Sequence, residues 1–240
     1  MAAQVPIEEP SETLAVLFDI DGTLISTGGA GAESWRLAFE ELYGIPADIG
    51  RYTDAGMTDP EVGRLTFGNV IGHEPKPKEL ARVLSVRLRH LPRTVAESKT
   101  YKVLPGVRKT LERLHDDGYL LGLTTGGVEA AAHIKLARAD LNHYFSFGGY
   151  GSDSSDRTEL TRRALERAGT VLGKPLDPTE ALVVGDTPHD VDAAHGAGCP
   201  AVGVASGHFT KEALHEAGAD YVLGSLQEPF PVAPRTAKVE

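Results

Sequence analysis

Carboxylate or hydroxyl side chains follow each of three short apolar segments in the chain. Asp19 and Asp21 follow residues 14–18, Thr124 and Thr125 follow residues 120–123, and Asp186 and Asp190 follow residues 181–184. Carboxylates held close together repel and raise one another's pKa, so such a cluster usually needs a bound cation. Oxygen ligands without histidine or cysteine favour Mg²⁺ over Zn²⁺. The sequence therefore predicts a magnesium site where these segments meet.

The segments that must position these side chains have the pattern of a parallel sheet. Runs of four or five apolar residues are typical of strands buried on both faces. They occur at residues 14–18, 120–123, 181–184 and 201–205, with a weaker run at 221–223. Helical patterns occupy residues 106–117, 129–138, 157–169 and 190–197. Alternation of this kind predicts a Rossmann-like, doubly wound α/β sheet, whose ligands lie at the carboxyl ends of the strands.

The stretch between the first two apolar segments has no strand pattern. Helical patterns occur there at residues 32–43, 59–70 and 78–91, with connections at residues 28–31 and 96–100. About seventy helical residues are too many for a loop between a strand and a helix. We therefore predict a core of residues 1–26 and 99–240 and an inserted helical lobe of residues 27–98.

Composition limits the partners. The chain of 240 residues has 24 Lys and Arg against 34 Asp and Glu, a net charge of −10, which argues against a nucleic-acid partner. No apolar stretch is long enough for a membrane span, and residues 1–12 do not resemble a signal peptide. The single cysteine, Cys199, excludes an intramolecular disulfide and suits a reducing compartment. We expect a cytoplasmic monomer or homodimer that contacts neither membrane nor nucleic acid.

Three motifs give the chain a family resemblance. The segment Asp19-Ile20-Asp21-Gly22-Thr23-Leu24 resembles the first motif of the haloacid dehalogenase-like superfamily, and residues 121–126 and 183–190 resemble its second and fourth motifs. The resemblance covers about residues 14–225. The helical insertion resembles the cap domain of the phosphoglycolate phosphatase and β-phosphoglucomutase branch. The resemblance implies a Rossmann-like core, a helical cap, Mg²⁺ and phosphate-transfer chemistry.

The resemblance also implies residue roles on the reacting side. Asp19 would attack phosphorus and form an aspartyl phosphate. Asp21 would act as the general acid and base, and its backbone carbonyl would ligate the metal. Asp186 would bind Mg²⁺ directly, and Asp190 would support the metal through water or hydrogen bonds. The implied metal set is therefore Asp19, Asp21, Asp186 and Asp190.

The second motif leaves two threonines as alternatives. Thr125 would hydrogen-bond a phosphoryl oxygen, with Thr124 as the alternative, because neighbouring strand residues face opposite sides. Gly126 follows them as a predicted substrate contact. On the side of the insertion, Ser26 and Thr58 are the predicted substrate contacts, although Thr58 could instead cap the helix that follows it.

The third motif departs from the family pattern, because residues 147–157 contain no lysine. Arg157 opens the following helix and is our candidate for neutralising the phosphoryl group and Asp19. The alternative is a surface pair between Arg157 and Asp153 or Asp156. Lys135 is a weaker candidate, for which we expect a solvated helix face.

The acid at position 21 separates the possible reactions. Dehalogenases of the superfamily lack an acid two residues after the nucleophile, so Asp21 favours phosphate-ester chemistry. The sequence thus predicts a magnesium-dependent phosphatase acting on a small phosphorylated metabolite. The alternatives are a phosphomutase of the β-phosphoglucomutase type, for which the same residues could serve, and a non-catalytic binding protein with this fold.

Overall fold

Four consecutive apolar residues form the first strand, β1 (Ala15–Phe18), and all four side chains are fully buried. The computed structural model, which describes residues 13–232, places this strand inside a six-stranded sheet. The strands that follow along the chain are β2 (Ile25–Ser26), β3 (Lys102–Val103), β4 (Leu120–Thr125), β5 (Phe147–Tyr150), β6 (Ala181–Gly185), β7 (Ala201–Val204) and β8 (Tyr221–Leu223). The helices are α1 (Ala30–Tyr43), α2 (Asp59–Ile71), α3 (Pro77–Glu97), α4 (Val107–Asp116), α5 (Glu129–Ala137), α6 (Arg157–Leu172), α7 (Pro188–Ala197) and α8 (Lys211–Glu216).

The strand order brings three strand ends together. The order across the sheet is β5-β4-β1-β6-β7-β8, and every neighbouring pair is parallel. The chain moves outward from β1 through β4 to β5 and then returns to the other side of β1 with β6. This reversal places the carboxyl ends of β4, β1 and β6 side by side, where open α/β sheets bind their ligands. The predicted doubly wound α/β fold is confirmed.

Both faces of the sheet are covered by helices. Val16 and Phe18 belong to the apolar cluster that includes residues of α4 and α5, whereas Leu17 belongs to the cluster that includes residues of α6 and α7. Alternate residues of a strand point to opposite faces, so β1 contributes to both clusters. Burial of each large apolar side chain contributes roughly 1.5–3 kcal/mol, which anchors the strand that carries the first motif.

Helices α1, α2 and α3 form the insertion after β2. Its connections to the sheet pass through a short antiparallel pair, in which Ile25 of β2 lies opposite Val103 of β3. Trp35 and Phe67 belong to a separate apolar cluster within the insertion. The division into a core of residues 1–26 and 99–240 and a cap of residues 27–98 stays a prediction, and residues 1–12 and 233–240 lie outside the described part of the chain.

Two elements differ from the sequence prediction. Helix α3 was predicted to end at Leu91 but continues through Pro92 to Glu97. Proline removes one helical hydrogen bond, and burial of Thr94 and Val95 beyond it offsets that loss. Strand β5 lies in the Phe-Gly-Gly-Tyr stretch that was not predicted as a strand, because glycine disfavours strands.

Across residues 13–232, no helix combines the length and the apolar character that crossing a bilayer requires.

Candidate active site

Asp19 occupies the first position after β1, between the carboxyl ends of β4 and β6. Its backbone N–H donates to the carbonyl of Val184 in the neighbouring strand at 2.8 Å, and its side chain is buried. Gly22 then turns the chain with φ +90°, a conformation that favours glycine. A Cβ at this position would lie 2.3 Å from the Asp186 carboxylate. The glycine of the first motif therefore makes room for the acid of the fourth.

Asp186 and Asp190 come from β6 and the helix that follows it. Asp186 is buried just after the strand and accepts a hydrogen bond from the Thr23 hydroxyl at 3.1 Å. Asp190 lies in the first turn of α7 and accepts from the backbone N–H and the hydroxyl of Thr187, at 3.0 and 2.7 Å. This capping arrangement fixes the Asp190 carboxylate near the other acids.

The three buried acids Asp19, Asp186 and Asp190 form one cluster, with ligand atoms within 4.8 Å of one another. Burial and the nearby Asp190 carboxylate raise the pKa of Asp186 to about 7. Burial, followed by the charge of Asp190, also raises the pKa of Asp19 well above its usual value, while Arg157 opposes this shift. Three buried carboxylate side chains within reach of one another fit a hard divalent cation such as Mg²⁺.

Arg157, the first residue of α6, lies beside this cluster. Its Nη2 atom is 3.5 Å from Asp19 Oδ1 and contacts Asp190, and its Nη1 atom donates to the carbonyl of Gly56 at 2.8 Å. The predicted alternative, a surface pair with Asp153 or Asp156, is wrong. Those two acids have other partners, since Asp153 pairs with Arg167 at 2.7 Å and Asp156 caps α6 by accepting from Thr158.

The predicted solvated helix face for Lys135 is wrong. This lysine is buried on α5, and its Nζ atom donates to Asp21 Oδ2. The Asp21 side chain is 46% exposed and, like Lys135, lines the cavity above the carboxyl ends of the strands. The acid that was predicted to transfer protons therefore has its own buried cation. The predicted metal contact of the Asp21 backbone carbonyl stays a prediction.

The two threonines at the end of β4 face different ways. Thr125 lines the cavity, whereas Thr124 shares a hydrogen bond of 3.2 Å with Thr161 of α6. The alternating side chains of a strand explain why only one of them reaches the site. The structure therefore corrects the predicted substrate contact at Thr124. Gly126 lines the cavity beside Thr125, and its contact with the substrate stays a prediction.

The predicted contacts on the insertion side divide in the same way. Ser26 lines the cavity, at the start of the connection to the insertion. Thr58 does not line the cavity, and it is fully buried with a hydroxyl that has no hydrogen-bond partner within residues 13–232. It holds the N-cap position of α2, but its side chain makes no capping bond. Both predicted roles of Thr58, substrate contact and side-chain cap, are therefore corrected.

Asp59 follows Thr58 as the first residue of α2 and also lines the cavity. Its backbone N–H donates to the carbonyl of Gly126 at 2.7 Å, and its carboxylate accepts from Val128 N–H at 2.8 Å and from Arg87 at 2.6 Å. The insertion thus binds the loop that follows the second motif through one buried acid. Only the folded chain brings these partners together, so no sequence signal identified them.

A signal for Lys135 was present in the sequence. Buried residues of α5 recur at Ala131, Ala132, Lys135 and Leu136, which is the spacing of one helix face. A lysine on an apolar stripe needs a partner for its charge, because burying an unpaired charge is costly. The stripe therefore could have assigned Lys135 an acidic partner in the core.

The lining residues enclose a cavity of about 410 Å³. Asp19, Asp21, Thr125, Arg157 and Asp186 line it from the side of the sheet. Gly56 and Met57 line it from the insertion. The volume suits a small ligand that is held between the carboxyl ends of the strands and the insertion.

Comparison with known proteins places these residues in a family context. The profile of the haloacid dehalogenase-like hydrolases matches residues 13–198. The chain is 30% identical over 234 residues to a phosphoglycolate phosphatase of Salmonella paratyphi A, and the match covers 90% of each sequence. Among solved structures, a predicted phosphatase from Clostridium acetobutylicum matches with a TM-score of 0.70 and 22% identity, covering 91% of this chain and 96% of that one. A β-phosphoglucomutase from Clostridium difficile matches with a TM-score of 0.68 and 18% identity, covering 91% of this chain and 94% of that one. At these sequence identities, the two structural matches show a similarity of fold alone.

Proposed function

Because the chain belongs to the haloacid dehalogenase-like hydrolase family and is a phosphatase, we propose that it hydrolyses a small phosphomonoester through an aspartyl phosphate on Asp19. The observation that carries the proposal is the surroundings of Asp19. This buried carboxylate lies 3.5 Å from the Arg157 guanidinium and within 4.8 Å of two further buried acids. Asp21 faces the same cavity two residues later. A nucleophile, a cation and an acid thus share one small site.

The proposed reaction has two displacements. In the first, Asp19 attacks phosphorus, the ester P–O bond breaks with its electron pair on the leaving oxygen, and Asp21 gives that oxygen a proton. In the second, Asp21 takes a proton from water as the water attacks phosphorus, and the bond to Asp19 breaks. The products are the alcohol and inorganic phosphate, and Asp19 returns to its carboxylate form.

Asp19, Asp186 and Asp190 are the residues that would hold Mg²⁺. Bound there, the cation supplies charge neutralisation, which lets an anionic carboxylate approach an anionic phosphoryl group. Asp190 is held by Thr187 and Arg157, and Asp186 is held by Thr23, so the donors are oriented in advance. Such preorganisation limits the motion that is needed when charge develops.

Arg157 and Thr125 are the proposed contacts of the phosphoryl oxygens. The guanidinium contacts Asp19 and Asp190 and donates to the Gly56 carbonyl, so it lies next to the proposed nucleophile. A hydroxyl at Thr125 adds a neutral donor from β4. Arg157 would take the place of the lysine that the third motif usually supplies, and Thr125 would keep the role of the second motif.

The proposed substrate is a small phosphorylated metabolite, which a cavity of about 410 Å³ accommodates. The curated relative reported above is named for phosphoglycolate, so phosphoglycolate is the first compound to test. We also propose a cytoplasmic location, which the single cysteine supports because it excludes an intramolecular disulfide.

The test is phosphate release by the purified chain with and without Mg²⁺. We expect Mg²⁺-dependent release from phosphoglycolate or another member of a panel of phosphorylated metabolites. Asp19→Asn should reduce kcat by at least roughly 1,000-fold, because it removes the nucleophile. Asp48→Asn, at an exposed position, is the control and should keep wild-type turnover.

Two results would replace this proposal. Conversion of a sugar 1-phosphate to the 6-phosphate without net phosphate release would identify a phosphomutase. Binding of phosphorylated compounds without turnover, unchanged in Asp19→Asn, would identify a binding protein.

A further inference from the structure

Lys135 is a buried cation in the cavity that the proposed reaction leaves without a role. Its side chain is only 7% exposed, and its Nζ atom donates to Asp21 Oδ2. A Cβ placed on Gly127 would lie 4.0 Å from the same Nζ atom, so the ammonium also borders the loop that follows the second motif. Burying an ammonium is costly unless it is paired, so its position needs an explanation.

Helix α5 is fixed at both ends, which fixes Lys135. At the N-terminal end, Val128 N–H donates to the buried Asp59 carboxylate at 2.8 Å. Near the C-terminal end, the Tyr101 hydroxyl donates to the carbonyl of Lys135 itself at 2.8 Å. Arg138 then donates to the carbonyl of Ser98 at 2.8 Å and lies 4.6 Å from the Tyr101 ring centroid. The lysine therefore projects from a rigid support.

Asp21 needs such a support. Its side chain is 46% exposed, whereas the Asp19 side chain is 8% exposed and is surrounded by other charged groups. A half-exposed carboxyl group can take several rotamers, and only some of them reach the oxygen of the departing alcohol. The contact with Lys135 selects one of these rotamers.

Two of the three lysine and arginine side chains that line the cavity, Arg157 and Lys135, are divided between the two acids of the first motif; the third is the exposed Lys102. Arg157 contacts Asp19 and Asp190, on the side of the acidic cluster. Lys135 contacts Asp21, which is not a member of that cluster. The charges are thus arranged as one cation for the nucleophile and one for the proton donor.

We propose that Lys135 is a positioning residue that holds the Asp21 carboxyl group in the orientation needed to deliver a proton to the leaving oxygen. This inference rests on the proposed phosphatase function. It assigns no contact between Lys135 and the phosphoryl group, because the structure pairs the ammonium with Asp21. Loss of Lys135 should therefore lower kcat/KM most for substrates whose leaving oxygen needs a proton.

Two aryl phosphates of similar shape provide the test. The nitrophenolate of p-nitrophenyl phosphate leaves without a proton, whereas the more basic phenolate of phenyl phosphate benefits from one. With Mg²⁺ present, Lys135→Met should lower kcat/KM for phenyl phosphate about 10-fold more than for p-nitrophenyl phosphate. Lys109→Met, at an exposed position on α4, is the matched control and should change neither value.

A double variant tests whether Lys135 acts through Asp21. Asp21→Asn should show the same preference for the better leaving group, and adding Lys135→Met to it should cause no further loss. Lys135→Arg should recover part of the phenyl phosphate activity, because it restores a cation. If Lys135→Met does not give a cooperative thermal transition, Lys135→Gln takes its place with the same criteria.

The outcomes separate this inference from the function on which it rests. If the wild-type chain releases phosphate from neither aryl phosphate nor the metabolite panel, the phosphatase function fails. If the wild type is active and Lys135→Met lowers both aryl substrates equally, Lys135 binds the phosphoryl group or supports the fold, and the inference is overturned. Additive losses in the double variant, or no loss in Lys135→Met, overturn it as well.

Discussion

Two buried cations from different helices stabilise the acids of the first motif. Arg157 opens α6 and contacts Asp19, and Lys135 lies on α5 and contacts Asp21. Charges taken out of water need close partners, and each of these pairs supplies one. The proposed nucleophile and the proposed proton donor therefore differ in environment although they are two residues apart, which is how two carboxylates can take two roles.

The two threonines of β4 give a matched pair for testing orientation. Thr125→Val should lower kcat/KM about 10- to 100-fold, because a hydrogen bond to a charged group contributes roughly 1.5–3 kcal/mol. Thr124→Val removes a hydroxyl that faces Thr161 and should leave kcat/KM within about twofold, because a neutral hydrogen bond outside the cavity affects mainly stability. Steady-state kinetics with one substrate measures both. Equal losses would contradict the assigned orientation.

At the level of elements, the contact between the insertion and the sheet depends on a buried ion pair. Asp59 of α2 pairs with Arg87 of α3, whose guanidinium lies 5.0 Å from the Trp35 ring centroid. The same carboxylate accepts from Val128 N–H, before α5. One side chain thus joins two helices of the insertion to the loop after β4, and through that loop to the predicted phosphate site.

Removing that carboxylate should destabilise the protein strongly. Asp59→Ala leaves the Arg87 charge buried and unpaired, which costs about 3–5 kcal/mol in the free energy of unfolding. Asp48→Ala breaks a pair with Arg51 whose side chains are 66% and 74% exposed, and it should cost no more than about 1 kcal/mol. Urea denaturation of both variants measures the difference. Similar losses in the two variants would show that the buried pair contributes no more to the free energy of unfolding than the exposed pair.

For the molecule as a whole, the acidic cluster couples folding to pH, and a bound cation would change that coupling. Burial and Asp190 raise the folded-state pKa of Asp186 to about 7, above the unfolded value of about 3.9. The stability contributed by Asp186 is therefore fully present below about pH 4 and is lost as the pH rises to about 7. A divalent cation would offset this loss, since it binds the deprotonated carboxylates.

We therefore expect Mg²⁺ to raise the melting temperature more at pH 8 than at pH 5. The expected gain at pH 8 is about 2.7 kcal/mol when Mg²⁺ is present at about 100 times its Kd. Differential scanning calorimetry with and without Mg²⁺ measures it, with NaCl at equal ionic strength as the control for screening. Asp186→Asn should reduce the gain. An equal gain at both pH values would contradict the link to the acidic cluster.

The sequence by itself determined the main elements and named the three acids of the buried cluster, although it also counted Asp21 in the metal set. Apolar runs located five of the six strands of the main sheet, because residues buried on both faces leave a continuous apolar pattern. The order of the motifs placed Asp19, Thr125 and Asp186 at strand ends. Strand β5 was missed, because its glycines resemble a loop. A Cβ on Gly149 would lie 1.9 Å from the Leu160 carbonyl, so close packing of α6 explains that glycine.

Only the tertiary structure decided which partners these residues take. Lys135 and Asp21 are 114 positions apart, and strand order and helix packing bring them together. Arg157 could have paired with Asp153 or Asp156 nearby, but the start of α6 directs it to Asp19 and Asp190. Local patterns encode burial and periodicity, whereas pairing across the chain depends on which strand ends lie side by side. For that reason the sequence identified the acids, and the fold assigned each of them its cation.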